Sequence, residues 1–175
     1  MLRLSPVTKE SFPTVYSKME NAFPYEERRS AHDQEICLAD SRFEFFEIYD
    51  GDKDVGFVAI WVLDSFIFIE HIAIDENMRG CGYGSSAINL IKKKYNTDII
   101  LEAETPDTPQ QIRRIGFYKN LGFHVNDFYY EQPSYHNGDA VPLKVLSYPS
   151  PLTKSRFRLF INETRNSAYA QSKIP

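Results

Sequence analysis

Cysteine is scarce in this chain of 175 residues: Cys37 and Cys81 are the only two. Their spacing fits no zinc pattern and two thiols make no disulfide framework, so no metal centre and no stapled fold is expected. No apolar run approaches the roughly 20 residues that a membrane-spanning helix requires. The opening stretch, MLRLSPVTKESF, lacks the apolar core of a secretory signal. These absences together lead to the expectation of a reducing cytoplasm with no membrane contact. A surplus of basic residues is missing as well: the formal net charge of −4 leaves no electrostatic footprint for nucleic acid. Internal repeats and low-complexity segments are also lacking. What remains is 42% hydrophobic and 25% charged, the balance of a soluble globular protein, and this length argues for one domain.

The most informative stretch runs from Phe66 to Tyr95. FIFIEHIAID is mostly apolar and β-branched, which predicts a strand covered on both faces. ENMRGCGYGSS follows, with Gly80, Gly82 and Gly84 alternating with Cys81 and Tyr83, so that the backbone can turn sharply and approach a ligand. AINLIKKKY then predicts an amphipathic helix, with Lys92 to Lys94 in its last turn, where the helix dipole favours cations. A glycine stands where Ser, Thr, Asp or Asn would usually cap the helix. Free N–H groups at a positive helix end make an anion site, so this element is read as the holder of a phosphate-bearing cofactor.

Around it the pattern predicts a strand over Leu2 to Pro6, a helix over Thr8 to Asn21 and a short helix over His32 to Ala39. A hairpin of Phe43 to Tyr49 with Val55 to Leu63 comes next. After the glycine loop and its helix, Ile99 to Glu104 reads as a strand. Thr108-Pro109-Gln110-Gln111 is a capping box with proline at the first helical position, and Gly122 ends that helix. Val125 to Glu131 and Val141 to Tyr148 read as closing strands around a turn at Asn137-Gly138. Residues 149–175 form a tail with a helical apolar side of Phe157, Phe160, Ile161, Thr164 and Ala168. That side docks either on the domain's own sheet or on a second copy in a homodimer. The order of elements is that of one mixed α/β domain over residues 1–148, without clean alternation of parallel units.

Other phosphate-binding loops fit less well. A dinucleotide fingerprint needs glycine where Ser85 stands and begins directly after its strand, whereas Glu76 to Arg79 intervene here. A P-loop needs a lysine after its glycines, and none follows. Arg79-Gly80-Cys81-Gly82-Tyr83-Gly84 resembles instead the R/Q-x-x-G-x-G/A loop of the GNAT N-acetyltransferase superfamily. His71-Ile72-Ala73-Ile74-Asp75 resembles the strand end that precedes that loop, and Phe117-Tyr118-Lys119-Asn120-Leu121-Gly122-Phe123 its second signature. Gln111 and Arg114 depart from the Asn-x-x-Ala usual there. The resemblance covers the chain through about Tyr148. It implies a single mixed, mostly antiparallel sheet flanked by helices, and transfer of an acetyl group from acetyl-CoA to a primary amine of a small molecule or peptide.

It further implies that backbone N–H groups of Arg79, Gly80, Cys81, Gly82, Tyr83 and Gly84, with Ser85, hold the pyrophosphate. The backbone of Ile72, Ala73 and Ile74 would pair with the pantetheine arm and polarise the acetyl carbonyl. Tyr118 takes the place of a general acid for the departing thiolate. Glu70 and Glu102, on neighbouring strands, are both candidates for the base, directly or through water; burial among apolar residues raises a carboxyl's pKa towards neutrality. Strand alternation predicts that Glu70 and His71 face opposite ways. Cys81 lies too far from the acetyl end to form an acyl-enzyme. The acceptor side is assigned to Phe23 to Arg29 and Tyr129 to His136, where Glu26, Glu27, Glu102 and Glu104 beside Tyr25, Tyr129, Tyr130 and Tyr135 suit a cationic amine. The alternative functions are a non-catalytic acyl-CoA-binding or sensing domain and, behind it, a Rossmann-type nucleotide enzyme.

Overall fold

The computed structural model describes residues 1–136 and 138–170. Its elements are β1 (Leu2–Pro6), α1 (Phe12–Ala22), α2 (Ala31–Cys37), β2 (Phe43–Asp50), β3 (Lys53–Val62), β4 (Ile67–Ile74), α3 (Tyr83–Tyr95), β5 (Ile99–Glu104), α4 (Pro109–Asn120), β6 (His124–Asn126), β7 (Glu131–Gln132), β8 (Val141–Tyr148) and α5 (Lys154–Arg165). The strands form one sheet in the order β1-β2-β3-β4-β5-β8-β6, with β7 on β8. β4 and β5, joined through α3, are the parallel pair; the other pairings are antiparallel. This is the mixed, mostly antiparallel sheet expected, and it rules out the doubly wound parallel sheet of a dinucleotide-binding fold.

Alternation along the strands divides the core in two. Phe45, Phe57, Trp61, Phe68 and Val145 meet α1, α2 and α5 on one face. Ile48, Val58, Ile60, Ile69, Leu101 and Leu146 meet α3 and α4 on the other. The apolar side of α5 lies on the chain's own sheet: Phe160 is buried against Phe66, Phe68 and Tyr130, with ring centroids 6.0, 5.8 and 5.4 Å away. Among the described residues no helix is long and apolar enough to cross a membrane.

Three local expectations need correction. α1 starts at Phe12 and not at Thr8, because Thr8 and Ser11 bond each other's backbone N–H in a turn and Pro13 occupies the first helical turn. The strand expected from Val125 to Glu131 breaks after Asn126. Asn126 Nδ2 donates to Val145 O and Ser147 Oγ, both at 3.0 Å, and its Oδ1 accepts from Leu152 N at 2.7 Å. The chain then leaves the ladder so that Phe128 stacks on Phe157 and Tyr130 enters the core. The turn expected at Asn137-Gly138 includes Asn137, which lies outside the described residues.

The third correction decides where the site lies. Ile60 pairs with Ile69 and Ala59 with His71, so Glu70 is an extra residue in β4. This β-bulge cancels the alternation: Glu70 and His71 both turn to the α1/α2 face, their side chains 3.8 Å apart at the nearest nitrogen and oxygen. β4 pairs with β5 only over Ile67 to Ile69 and Ile99 to Leu101, and beyond the bulge the two strands part.

Two glycine substitutions should shift stability in opposite directions, decided by backbone conformation alone. A Cβ at Gly82 or Gly116 would meet no atom within 4 Å, but Gly82 has φ +80° and Gly116 lies inside α4. Gly82→Ala should cost about 1–2 kcal/mol, and Gly116→Ala should stabilise by about 1 kcal/mol, both read from urea unfolding.

Candidate active site

A cavity of about 500 Å³ opens where β4 and β5 part. Ile69, Glu70, Ile72, Ala73 and Ile74 of β4 line one wall, with Leu101 and Glu102 of β5 opposite. α4 contributes Gln110, Arg113, Arg114, Phe117 and Tyr118; Ala22 and Phe23 close the α1 side, and Arg79 and Gly84 stand at the glycine-loop end. Thus Tyr118, Glu70, Glu102, Ile72, Ala73, Ile74, Arg79 and Gly84, all singled out in the sequence, share one cavity. Gly80, Cys81, Gly82, Tyr83 and Ser85 do not line it.

The glycine loop has the geometry its residues demand. Gly80 and Gly82 have φ of +78° and +80°, a region that L side chains avoid. Gly82 is the N-cap of α3 and supplies no side-chain cap, so the first N–H groups of the helix keep their capacity for an anion. A Cβ on Gly84 would stand 3.3 Å from the Phe117 ring, which packs α3 closely on α4 beside the cavity. Arg79 is exposed and its Nε donates to Ile74 O at 3.2 Å. Cys81 is exposed, and the Tyr83 hydroxyl turns away to Asp50, 3.2 Å distant. Past the bulge, the β5-facing edge of Ile72 to Ile74 has no strand partner among the described residues. An uncapped helix end beside an open strand edge fits a ligand with a diphosphate and an amide-bearing arm.

The two carboxylates differ sharply. Glu70 has a side chain with 0% exposure and four donors. Arg29 grips it through Nη1 at 2.9 Å and Nη2 at 2.6 Å, Tyr135 Oη donates at 2.8 Å, and Trp61 Nε1 at 3.1 Å. Burial alone would raise its pKa, but the Arg29 guanidinium holds it below the usual carboxylate range. His71 is pushed down by burial and is therefore neutral; its Nε2 donates to Glu27 O at 2.8 Å. Among the described residues no cation pairs with Glu102. Tyr169 Oη donates to it at 2.7 Å, Tyr130 Oη donates to its other oxygen, and removal from water raises its pKa to about 7. Burial pushes the Tyr118 hydroxyl up to about 12.

The acceptor side is only partly as the sequence suggested. Tyr130 and Tyr135 lie beneath the cavity wall as donors to the carboxylates and do not line the opening. Tyr129 is 83% exposed and bonds Glu131, and Tyr25 stacks on His136 at 3.8 Å. Glu104 pairs with Arg114, while Glu27 is pushed up by burial and by the charge of Glu104. Sequence reasoning did not find Arg29, Trp61 or Tyr169 as carboxylate partners. No local signal marks them, because they reach the site from 41, 9 and 67 residues away.

Known proteins share this fold. The model of the acetyltransferase (GNAT) family matches residues 9–123. YjbC of Bacillus subtilis (strain 168), whose name assigns it to the acetyltransferases, is 31% identical over 144 residues, spanning 80% of this chain and 72% of that protein. A GNAT-family protein of Bacteroides thetaiotaomicron superposes with a TM-score of 0.89 at 27% identity, covering 95% of this chain and 98% of that one. The ribosomal-protein-S18-alanine N-acetyltransferase of Escherichia coli shares the fold, with a TM-score of 0.60 at 18% identity over 87% of this chain and 96% of its own. A family match over most of the chain, on the elements that build the cavity, leads to one conclusion: this chain belongs to the GNAT acetyltransferase family.

Proposed function

We propose that the protein transfers the acetyl group of acetyl-CoA to a primary amine of a small molecule or peptide, by direct attack while both are bound. The observation that supports this reading is one cavity at the β4/β5 split, where Gly84 at the uncapped start of α3, an open strand edge, a titratable carboxylate and a phenol meet. Acetyl-CoA supplies the activated thioester. The N–H groups from Gly82 to Ser85 grip its pyrophosphate, and the edge of Ile72 to Ile74 aligns its arm and polarises the acetyl carbonyl. The N-acetyltransferase activity in the name of the E. coli neighbour supports an amine acceptor here. Glu27, Glu102 and Glu104 favour a cation at that end, partly offset by Arg114.

Of the two carboxylates, Glu102 takes up the amine's proton. Glu70 is held by four donors and stays ionised, whereas a carboxyl with pKa about 7 exchanges its proton at working pH. Glu70 serves as a fixed counter-charge. Tyr118 remains protonated and presents its O–H to the departing sulfur. Its pKa of about 12 lies above the ordinary thiol value of about 8.5, so it stabilises the forming thiolate more than it delivers a full proton.

Acetyl-CoA at about 100 times its Kd should stabilise the protein by about 2.7 kcal/mol, a rise of roughly 5–10 °C in Tm; no rise at millimolar cofactor contradicts the proposal. With an amine found in a panel screen, Tyr118→Phe should lower kcat by roughly tenfold to a hundredfold with little change in KM for acetyl-CoA, and unchanged turnover removes Tyr118 from the mechanism. Glu102 should also leave a mark on stability. Its folded pKa of about 7 lies above the ordinary 4.5, so its contribution is fully present below about 4.5 and is lost as pH rises through about 7. Glu102→Gln should therefore gain on the wild type in Tm between pH 5 and pH 8, and parallel pH–Tm curves would show that Glu102 is not perturbed.

A further inference from the structure

Two consecutive residues after α5 reach the two carboxylates by separate routes. The carbonyl of Ala168 accepts from Arg29 Nη2, the nitrogen that also grips Glu70. The hydroxyl of Tyr169 donates to Glu102 Oε2 at 2.7 Å. Both residues are buried, at 0% and 2% exposure. The direction of the Tyr169 O–H is set from behind: Gln132 Nε2 donates to its oxygen at 3.2 Å, leaving the proton to point at Glu102. Tyr130 donates to Oε1, so each oxygen of Glu102 has one phenol. The charges that act most on Glu102 are Glu70 from β4 and Glu27 from the turn after α1, both acidic, while Arg113 and Arg114 of α4 line the same cavity.

Two neutral donors are a particular choice. A cation in place of either phenol would lock the carboxylate ionised, as Arg29 locks Glu70. Phenylalanine would fill the same volume between Phe68 and Tyr135, whose rings lie 6.4 and 5.5 Å from that of Tyr169, and would leave the carboxylate without its donor. Both tyrosines lie beyond residues 9–123, where the family model matches. We infer that Tyr169, delivered by the C-terminal segment, is a positioning residue of the transfer site: with Tyr130 it holds the Glu102 carboxylate facing the cavity and keeps it able to accept and release a proton. This rests on Glu102 being the proton acceptor. The segment after α5 is then part of the active site as well as the cover of one sheet face.

The test is a pH titration by NMR of the full chain carrying 13C-labelled glutamate carboxyls. In the wild type one signal should titrate near pH 7 and be absent from Glu102→Gln. In Tyr169→Phe that midpoint should move up by roughly one pH unit, since a donor to the ionised form has gone. Thr164→Val, which also removes a buried hydroxyl from this segment but none from a carboxylate, should leave it in place. In turnover of an amine from the panel, the rising limb of kcat should follow the same displacement with KM for acetyl-CoA unchanged. If Tyr169→Phe does not fold, Gln132→Leu, which removes the amide aiming the hydroxyl, should move the midpoint in the same direction. A wild-type midpoint near neutrality that neither Tyr169→Phe nor Gln132→Leu moves overturns the inference and leaves the proton-acceptor reading standing. A wild-type Glu102 that titrates in the ordinary carboxylate range overturns both.

Discussion

One extra residue in β4 organises the site. Because Glu70 and His71 together oppose Ala59, the strand stops pairing with β5 after Ile69, and the sheet opens in its middle. The same bulge sends two consecutive side chains to one face, where Arg29, Trp61 and Tyr135 meet Glu70 and the backbone of Glu27 meets His71. A regular strand would pair on through Leu101 to Glu102 and leave no cleft for a ligand. It would also separate Glu70 from His71 across the sheet. Bulges next to active sites commonly re-aim side chains in this way, and here the re-aimed group is the anchor of a buried ion pair.

That ion pair contributes little to net stability, since the cost of removing two charges from water offsets most of their attraction. Its consequence is directional. Arg29 ties together α2 through Gln34, β4 through Glu70 and the C-terminal segment through Ala168 O. With one carboxylate fixed as an anion, the second, Glu102, is disfavoured as an anion by both burial and its neighbour, and two phenols compensate only in part. Environments that push two carboxyls apart divide their roles without any change of residue type. The division has a cost in stability, borne by Glu102 above neutral pH.

Much of this was legible in the sequence where local chemistry decides the outcome. Gly80 and Gly82 require positive φ, Thr108-Pro109-Gln110-Gln111 forms the full capping box, and the spacing of Phe160 and Thr164 marks the buried side of α5, which ends before Ala168. The apolar run of β4 was equally plain, but its bulge was not. Period-two alternation is a rule for regular strands, and nothing in FIFIEHIAID signals an inserted residue. The strand expected from Val125 to Glu131 failed for a related reason: Phe128 and Tyr130 look like strand residues, yet α5 and Glu102 provide better partners than the ladder. The contrast between the Glu70 and Glu102 environments was out of reach because it depends on Arg29, Tyr135 and Tyr169, which arrive from distant parts of the chain.

Under the proposed function, acetyl transfer at the β4/β5 split runs through Glu102. This is tested most directly by pre-steady-state turnover of Glu102→Gln, with acetyl-CoA binding measured on the same sample by calorimetry. Cofactor affinity should be unchanged, with a loss of roughly 10²–10⁴ in the acetyl-transfer step at neutral pH. Acetyl transfer by Glu102→Gln at the wild-type rate would contradict the proposal.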